Sequence, residues 1–228
     1  MNLLGDEQLE RSAVVANCRM NRERNLDGTN GYARELGFHP LEFLKARAAN
    51  GAPVAWLDLC RGTGKALIEA SRRARVERFS TRFEITGVDL VGMFAAPDAG
   101  LEGLKLVEAS LRTWRPEGRF DLITCVHGLH YVGDKLGLIA RAASWLADDG
   151  RFAANLDLTN LKVDARPAGR PFLANLRRAG LLYHRKRRLL ECQGRTVLTF
   201  PYRYQGADDC AGPNSTGQPA VDSYYEAR

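Results

Sequence analysis

The feature that most limits the fold is a series of short apolar runs, each followed by a turn and then by a helix-like stretch. VAWLDL (54–59) is apolar throughout except for Asp58, the pattern of a strand buried on both faces. CRGTG follows, and GTGKALIEASRRA reads as a helix opened by glycines. FEITGVDLV (83–91), LKLVEASL (104–111), RFDLITCV (119–126) and RFAANLDL (151–158) predict four further strands. KLGLIARAASWLADDG reads as an amphipathic helix stopped at Gly150, and PFLANLRRAG as a short helix. Strict alternation of strand and helix predicts an α/β fold with a parallel sheet covered on both faces. Ligands of such sheets sit beyond the carboxyl ends of the strands, near the switch point. Asp58 to Gly64, Asp89, Ser110, Cys125 to Tyr131 and Asp157 are therefore the candidate site positions.

The flanking segments read differently. Residues 1–50 are helix-like, broken by Gly28, Gly31 and Gly37, and predict a helical cap or lid. LYHRKRRLLECQGRTVLTFPYRY reads as two strands around Gln193-Gly194, a hairpin that closes a core over residues 51–205. From Gly206 the tail (206–228) is polar and rich in Gly and Pro, and predicts loop with little regular structure. It reads as a surface wrap, or as a lining of the acceptor pocket through Tyr202, Tyr204 and Asp208. A chain of 228 residues suits one α/β domain with such additions. The net charge of +6 permits an acidic ligand or nucleic acid without demanding one. Five scattered cysteines, with no C-x-x-C pair, predict neither a metal site nor a disulfide framework. MNLLGDEQLERS is not a signal peptide, and no segment approaches the roughly 18 apolar residues of a membrane span. A cytoplasmic protein is the expectation.

The turn itself selects among ligands. A loop that cradles pyrophosphate wants Gly-x-Gly-x-x-Gly, whereas this one offers Cys60, Gly62 and Gly64 behind Asp58. An acid so close to a pyrophosphate is electrostatically unfavourable and suits a cationic group, an ammonium or a sulfonium. Asp89, ending the second strand, can accept two hydrogen bonds from ribose hydroxyls. The two acids point away from NAD and toward S-adenosylmethionine.

In VAWLDLCRGTG, EITGVDLV, LKLVEASL, FDLITCVHGLHYVGDK and ASWLADDGRFAANLDL, over roughly residues 54–160, the chain resembles the class I (Rossmann-like) S-adenosylmethionine-dependent methyltransferases. The resemblance implies a Rossmann-like three-layer sandwich with a mostly parallel seven-stranded sheet. A helical N-terminal cap and a C-terminal antiparallel hairpin at 181–204 go with it. In the family's acid-x-Gly-x-Gly-x-Gly loop, Asp58 matches the acid and Gly62 the middle glycine, while Cys60 replaces the first. Thr63 and Gly64 complete the G-T-G form. Cys60 puts a side chain at the point of closest approach, so a slightly displaced loop is expected. Asp89 matches the ribose-binding acid, with Leu90 beside the adenine. Ser110, followed by Leu111, stands where the family often has an acid that reads the adenine amino group. Cys125 to His127 fall beside the methionine part of the cofactor. Arg24 and the Asn30-Gly31-Tyr32 stretch are placed to meet its carboxylate.

The implied reaction is displacement at a methyl carbon, for which the cofactor supplies the leaving group. The protein must orient the acceptor, exclude water and, for an alcohol or phenol, take a proton. In HGLHYV (127–132), His127 and His130 are the candidate bases and Tyr131 a pocket wall. Cys60 and Cys125 read as packed small hydrophobes rather than nucleophiles. HGLH stands where relatives acting on planar nitrogens carry Asn-Pro-Pro-aromatic. That favours a small-molecule acceptor methylated on O or N, as in secondary metabolism. Two alternatives stay open. One is an enzyme of the same fold that cyclises the cofactor's aminobutyrate arm and releases methylthioadenosine. The other is an RNA or carrier-protein methyltransferase using the basic run HRKRR (184–188). On a predicted strand that run also reads as a solvated edge, and aromatic residues that would stack bases are sparse around it. Oligomeric state is not readable from the sequence.

Overall fold

A computed structural model describes residues 3–16, 23–92 and 100–228. Short helices come first: α1 (Asp6–Glu10), α2 (Ala13–Ala16), α3 (Tyr32–Leu36) and α4 (Pro40–Arg47). The core then runs β1 (Val54–Leu59), α5 (Lys65–Val76), β2 (Phe83–Asp89), β3 (Leu104–Glu108), β4 (Phe120–Cys125), α6 (Lys135–Ser144) and β5 (Leu146–Asn155). After it come β6 (Leu161–Val163), β7 (Arg166–Pro167), α7 (Arg170–Arg178), β8 (Leu182–His184), β9 (Leu189–Gln193), β10 (Tyr202–Asp208) and β11 (Asp222–Ala227). Cys18 lies outside the described residues.

The main sheet has seven strands in the order β3-β2-β1-β4-β5-β9-β8. β1, β2, β3, β4 and β5 pair in parallel, while β9 runs antiparallel to both β5 and β8. The fold is the expected Rossmann-like α/β sandwich. Its two cores explain the continuous apolar runs. On one face of β1, Val54 and Trp56 pack with Leu41 and Leu44 of α4 and with Leu67 and Ala70 of α5. On the other, Leu57 and Leu59 pack with Leu138, Ile139 and Ala142 of α6 and with Leu176 of α7. Strand order reverses between β1 and β4, and the crevice at their carboxyl ends is the switch point.

Three sequence expectations are corrected. The helix read over 135–150 stops at Ser144, and Leu146 already belongs to β5. The turn of the closing hairpin is not Gln193-Gly194 but residues 185–188, between β8 and β9. Gly194 instead ends β9: at φ 76° it donates its N–H to Gly150 O at 2.7 Å. The tail is not loop throughout. β10 and β11 form an antiparallel hairpin within a second sheet of order β10-β11-β6-β7.

That second sheet is fixed to the core by a buried cation. Lys135, 1% exposed, donates from Nζ to Val132 O, Val221 O and Ser223 Oγ at 2.9, 2.8 and 2.6 Å. Burial lowers its pKa to about 7, against the opposing pull of Asp222 and Asp134. Leu136 N donates to the Tyr225 hydroxyl at 3.0 Å, so β11 also holds the first turn of α6. Leu4 and Ala207 exchange two backbone hydrogen bonds, at 2.8 and 3.0 Å, which ties the segment before α1 to β10.

Candidate active site

Beyond the ends of the two central strands lie two non-glycine residues with left-handed backbones, Cys60 and His127, each at φ 57°. That conformation costs about 1–2 kcal/mol for an L-residue, so the surrounding structure must hold it. Cys60 is held by its N–H, which donates to Val88 O at 2.8 Å. Two residues on, Gly62 N donates to Asp89 Oδ2 at 2.9 Å, so the turn after β1 is built around the acid that ends β2. The side chain of Cys60 finds its room against Gly128, where an added Cβ would stand 2.2 Å from Cys60 Cβ. The neighbouring Cys125 thiol and burial together push the Cys60 thiol up, which keeps it protonated.

A cavity with an empty volume of about 980 Å³, counted to its open mouth, lies over this turn. Of the sequence-predicted residues, Cys60, Gly62, Asp89, Leu90, Leu111, His127 and Tyr131 line it. α1 and α2 close one side through Asp6, Leu9, Glu10 and Val15, which sequence reading had left unnamed. The lining fits an adenosyl group. Asp89, 8% exposed, spends one hydrogen bond on Gly62 N and another on Val91 N at 3.0 Å. Each carboxylate oxygen keeps acceptor capacity for a hydroxyl. Leu90, Leu111 and Leu138 offer apolar surface for a planar base. A pyrophosphate fits poorly, since Asp6, Glu10, Asp89 and Asp134 face the same space as Arg112 and Arg141.

The remaining predicted residues stand off this wall. Asp58 is fully buried and accepts from the Tyr32 hydroxyl at 2.7 Å and from Thr124 Oγ1, which in turn accepts from Trp56 Nε1 at 2.8 Å. Burial raises its carboxyl to about 7, against these hydrogen bonds and Arg61. Tyr32 is therefore the partner of Asp58, at the start of α3, rather than a loop contact. Thr63, Gly64 and Cys125 are not among the residues that line the cavity. Ser110 donates to Glu10, which docks α1 on the loop after β3. His130, 2% exposed, turns its Nε2 toward Nδ1 of His127 at 3.3 Å. Burial, and then the His127 charge, lower its pKa to about 3, so it stays neutral and positions the other ring.

Two residues that sequence reading missed complete the charge pattern. Arg61, 4% exposed, donates to Gly87 O at 3.0 Å and Gly62 O at 3.2 Å, and burial lowers its pKa against the opposing pull of Asp89 and Asp58. Two buried acids at adjacent strand ends need a countercharge, and Arg61 is the one base within CRGTG. Glu35 lies in α3 with Oε2 at 2.9 Å from His127 Nε2, off the ring's hydrogen-bond direction, and Oε1 at 3.3 Å from Arg24 Nη1. The His127 ring holds its carboxyl below the ordinary range. Its signal in the sequence was its place three residues after Tyr32, on the same helix face.

A family profile described as a methyltransferase domain matches residues 31–189, well over half of the chain. The chain belongs to the methyltransferase-domain family. By family and fold it is a class I S-adenosylmethionine-dependent methyltransferase domain, and S-adenosylmethionine is the cofactor of that class. No curated protein matches it. Among solved structures, the methyltransferase domain is similar to the N-methyltransferase NodS from Bradyrhizobium japonicum WM9 in complex with S-adenosyl-L-homocysteine. There the identity is 14%, the coverage 84% of this chain and 98% of that one, and the TM-score 0.40. It is also similar to the plantazolicin methyltransferase BpumL in complex with a monoazolic desmethylPZN analog and SAH (14% identity, 50% and 44% coverage, TM-score 0.40). A third is CalS10, an amino pentose methyltransferase from Micromonospora echinaspora (24% identity, 50% and 47% coverage, TM-score 0.36). The matches span less than half the length of the BpumL and CalS10 chains. No helix among the methyltransferase's described residues is long and apolar enough to cross a membrane.

Proposed function

We propose that this domain transfers a methyl group from S-adenosylmethionine to an oxygen or nitrogen of a small-molecule acceptor. The observation that carries the reading is the cavity over the turn after β1, lined by both Asp89 and His127. When bound, the cofactor supplies an electrophilic methyl carbon and a thioether leaving group. Asp89 would hold the ribose hydroxyls, Leu90 and Leu111 the adenine, and Cys60 and Gly62 the adjoining chain. α1 and α2 wall one side of the cavity and limit the entry of water from that side. Where the acceptor is an alcohol or phenol, His127 takes its proton at Nδ1, exchanging the 3.3 Å contact with His130 Nε2 for one with the acceptor, and Glu35 beside Nε2 stabilises the resulting imidazolium. Before the acceptor binds, His130 keeps the His127 ring in place without competing for the proton.

Calorimetric titration with S-adenosylhomocysteine tests the site. Wild type is expected to bind it, and Asp89→Ala to bind at least about tenfold more weakly through loss of a charge-assisted hydrogen-bond pair. No binding to wild type overturns the reading. Product analysis then separates methyl transfer, which releases S-adenosylhomocysteine, from cyclisation of the cofactor's arm, which releases methylthioadenosine.

A further inference from the structure

The sequence placed HRKRR on a strand, but residues 185–188 form the turn between β8 and β9. Register decides where that turn points. Leu189, the first residue of β9, pairs with Asn155, the last of β5. The basic turn therefore stands at the carboxyl edge of the parallel strands, the same edge that carries Cys60, Asp89 and His127. Leu156 N donates to Arg188 O at 2.7 Å and fastens the turn there.

A groove runs along this edge, lined by Thr29, Asn30, Arg34, Glu35, Lys186 and Arg187. Glu35 lines it too, and its carboxylate touches His127, which lines the cavity. Among the described residues, Lys186 and Arg187 make neither an ion pair nor a side-chain hydrogen bond. The Arg187 guanidinium lies over Gly37, where a Cβ would stand 1.9 Å from Nη1, so any side chain at 37 would displace it. Arg34 donates to Thr29 O at 3.2 Å and shares the groove. Against three cations stands Glu35, itself already matched by Arg24. The groove thus has positive charge to spare, and through Glu35 it adjoins His127.

We infer that this groove receives an anionic group of the acceptor, a carboxylate or a phosphate, through Lys186, Arg187 and Arg34. This rests on the reading of the cavity as the methyl-donor site. The acceptor is then a small acid whose nucleophilic atom reaches His127 while its charge stays at the basic turn.

The test is calorimetric titration, at low salt, of full-length protein saturated with S-adenosylhomocysteine. The probes are inorganic pyrophosphate, 4-hydroxybenzoate and the uncharged 4-hydroxybenzamide. At least one anion is expected to bind saturably and the amide not to bind. Which of the two anions binds more tightly tells phosphate from carboxylate. Lys186→Ala/Arg187→Ala, both on a surface turn, should weaken the anion at least about tenfold while leaving S-adenosylhomocysteine affinity unchanged. Arg170→Ala/Arg177→Ala, equally basic and outside the groove, should change neither. Equal binding of benzoate and benzamide, or an unaffected double variant, overturns the inference. So does a single-stranded oligonucleotide that binds more tightly than either anion and is lost in the same variant. Failure of S-adenosylhomocysteine to bind wild type is read in its own titration and strikes the donor-site reading instead.

Discussion

At the scale of single residues, the site is a set of charges whose neighbours decide what each can do. Glu35 and His127 form one such pair. Glu35→Gln removes the carboxylate that stands beside Nε2 to stabilise a protonated ring, and kcat should fall about tenfold with S-adenosylhomocysteine affinity little changed. His127→Gln should cost about a hundredfold in kcat with S-adenosylhomocysteine affinity little changed. Equal loss of donor affinity would make His127 a binding residue instead. Asp58 gives a pH prediction for stability. Its folded carboxyl keeps its proton to about pH 7, whereas the ordinary value is 3.8. Between those pH values the unfolded chain binds fewer protons, so stability falls as pH rises through the window. Asp58→Asn should flatten that slope in urea titrations taken from pH 4 to pH 7. An identical slope in the variant would show that another group sets it.

At the scale of elements, what was legible was whatever has a periodic or glycine signature. β1 was read to the residue, and β2, β3 and β4 to within three residues, because a strand buried on both faces is a continuous apolar run. The turn 185–188 was missed because Arg188 takes its φ of 48° without a glycine or asparagine to announce it. β10 and β11 were missed for another reason. They alternate charge with buried Ala207 and Tyr225, β10 is broken by a bulge at Gly206, and β11 meets only three residues of β6. Within the site, strand-end positions were legible, but Asp58, Ser110 and His130 found protein partners that spacing does not encode. Lys135 is the element-scale test. Lys135→Met leaves two buried carbonyls and a serine hydroxyl without their donor, at about 3–5 kcal/mol in all. Thermal unfolding should show the drop, and an unchanged midpoint would mean that β11 docks without the lysine.

At the scale of the whole molecule, the second sheet belongs to the fold rather than wrapping it. Ala207, Ala220, Val221 and Tyr225 are all within 3% of full burial. None of Tyr202, Tyr204 and Asp208 lines the cavity. Tyr202 stacks on Phe172 at 5.4 Å between ring centres, and Tyr204 tilts against Tyr225 at 5.6 Å. A chain ending at Pro201 would uncover Lys135, Leu4 and Leu9 together. Burial at about 1.5–3 kcal/mol for each large apolar side chain, added to the lost lysine contacts, rivals a typical net stability of about 5–15 kcal/mol. That truncation should abolish cooperative unfolding in near-UV circular dichroism. A sharp transition near the full-length midpoint would restore the tail to the surface.

The same lysine sets a schedule for biosynthesis. Its partners Val221 and Ser223 follow it by 86 and 88 residues. At about 5–20 residues per second, a ribosome delivers them roughly 5–20 s after Lys135 itself. Through that interval the first residue of α6 keeps its ammonium group in water. Its native packing waits on the arrival of a distant strand, so the rim is completed only after β11 has been synthesised. Chaperone capture and proteolytic nicking, if they compete with folding of this chain, have their opening there.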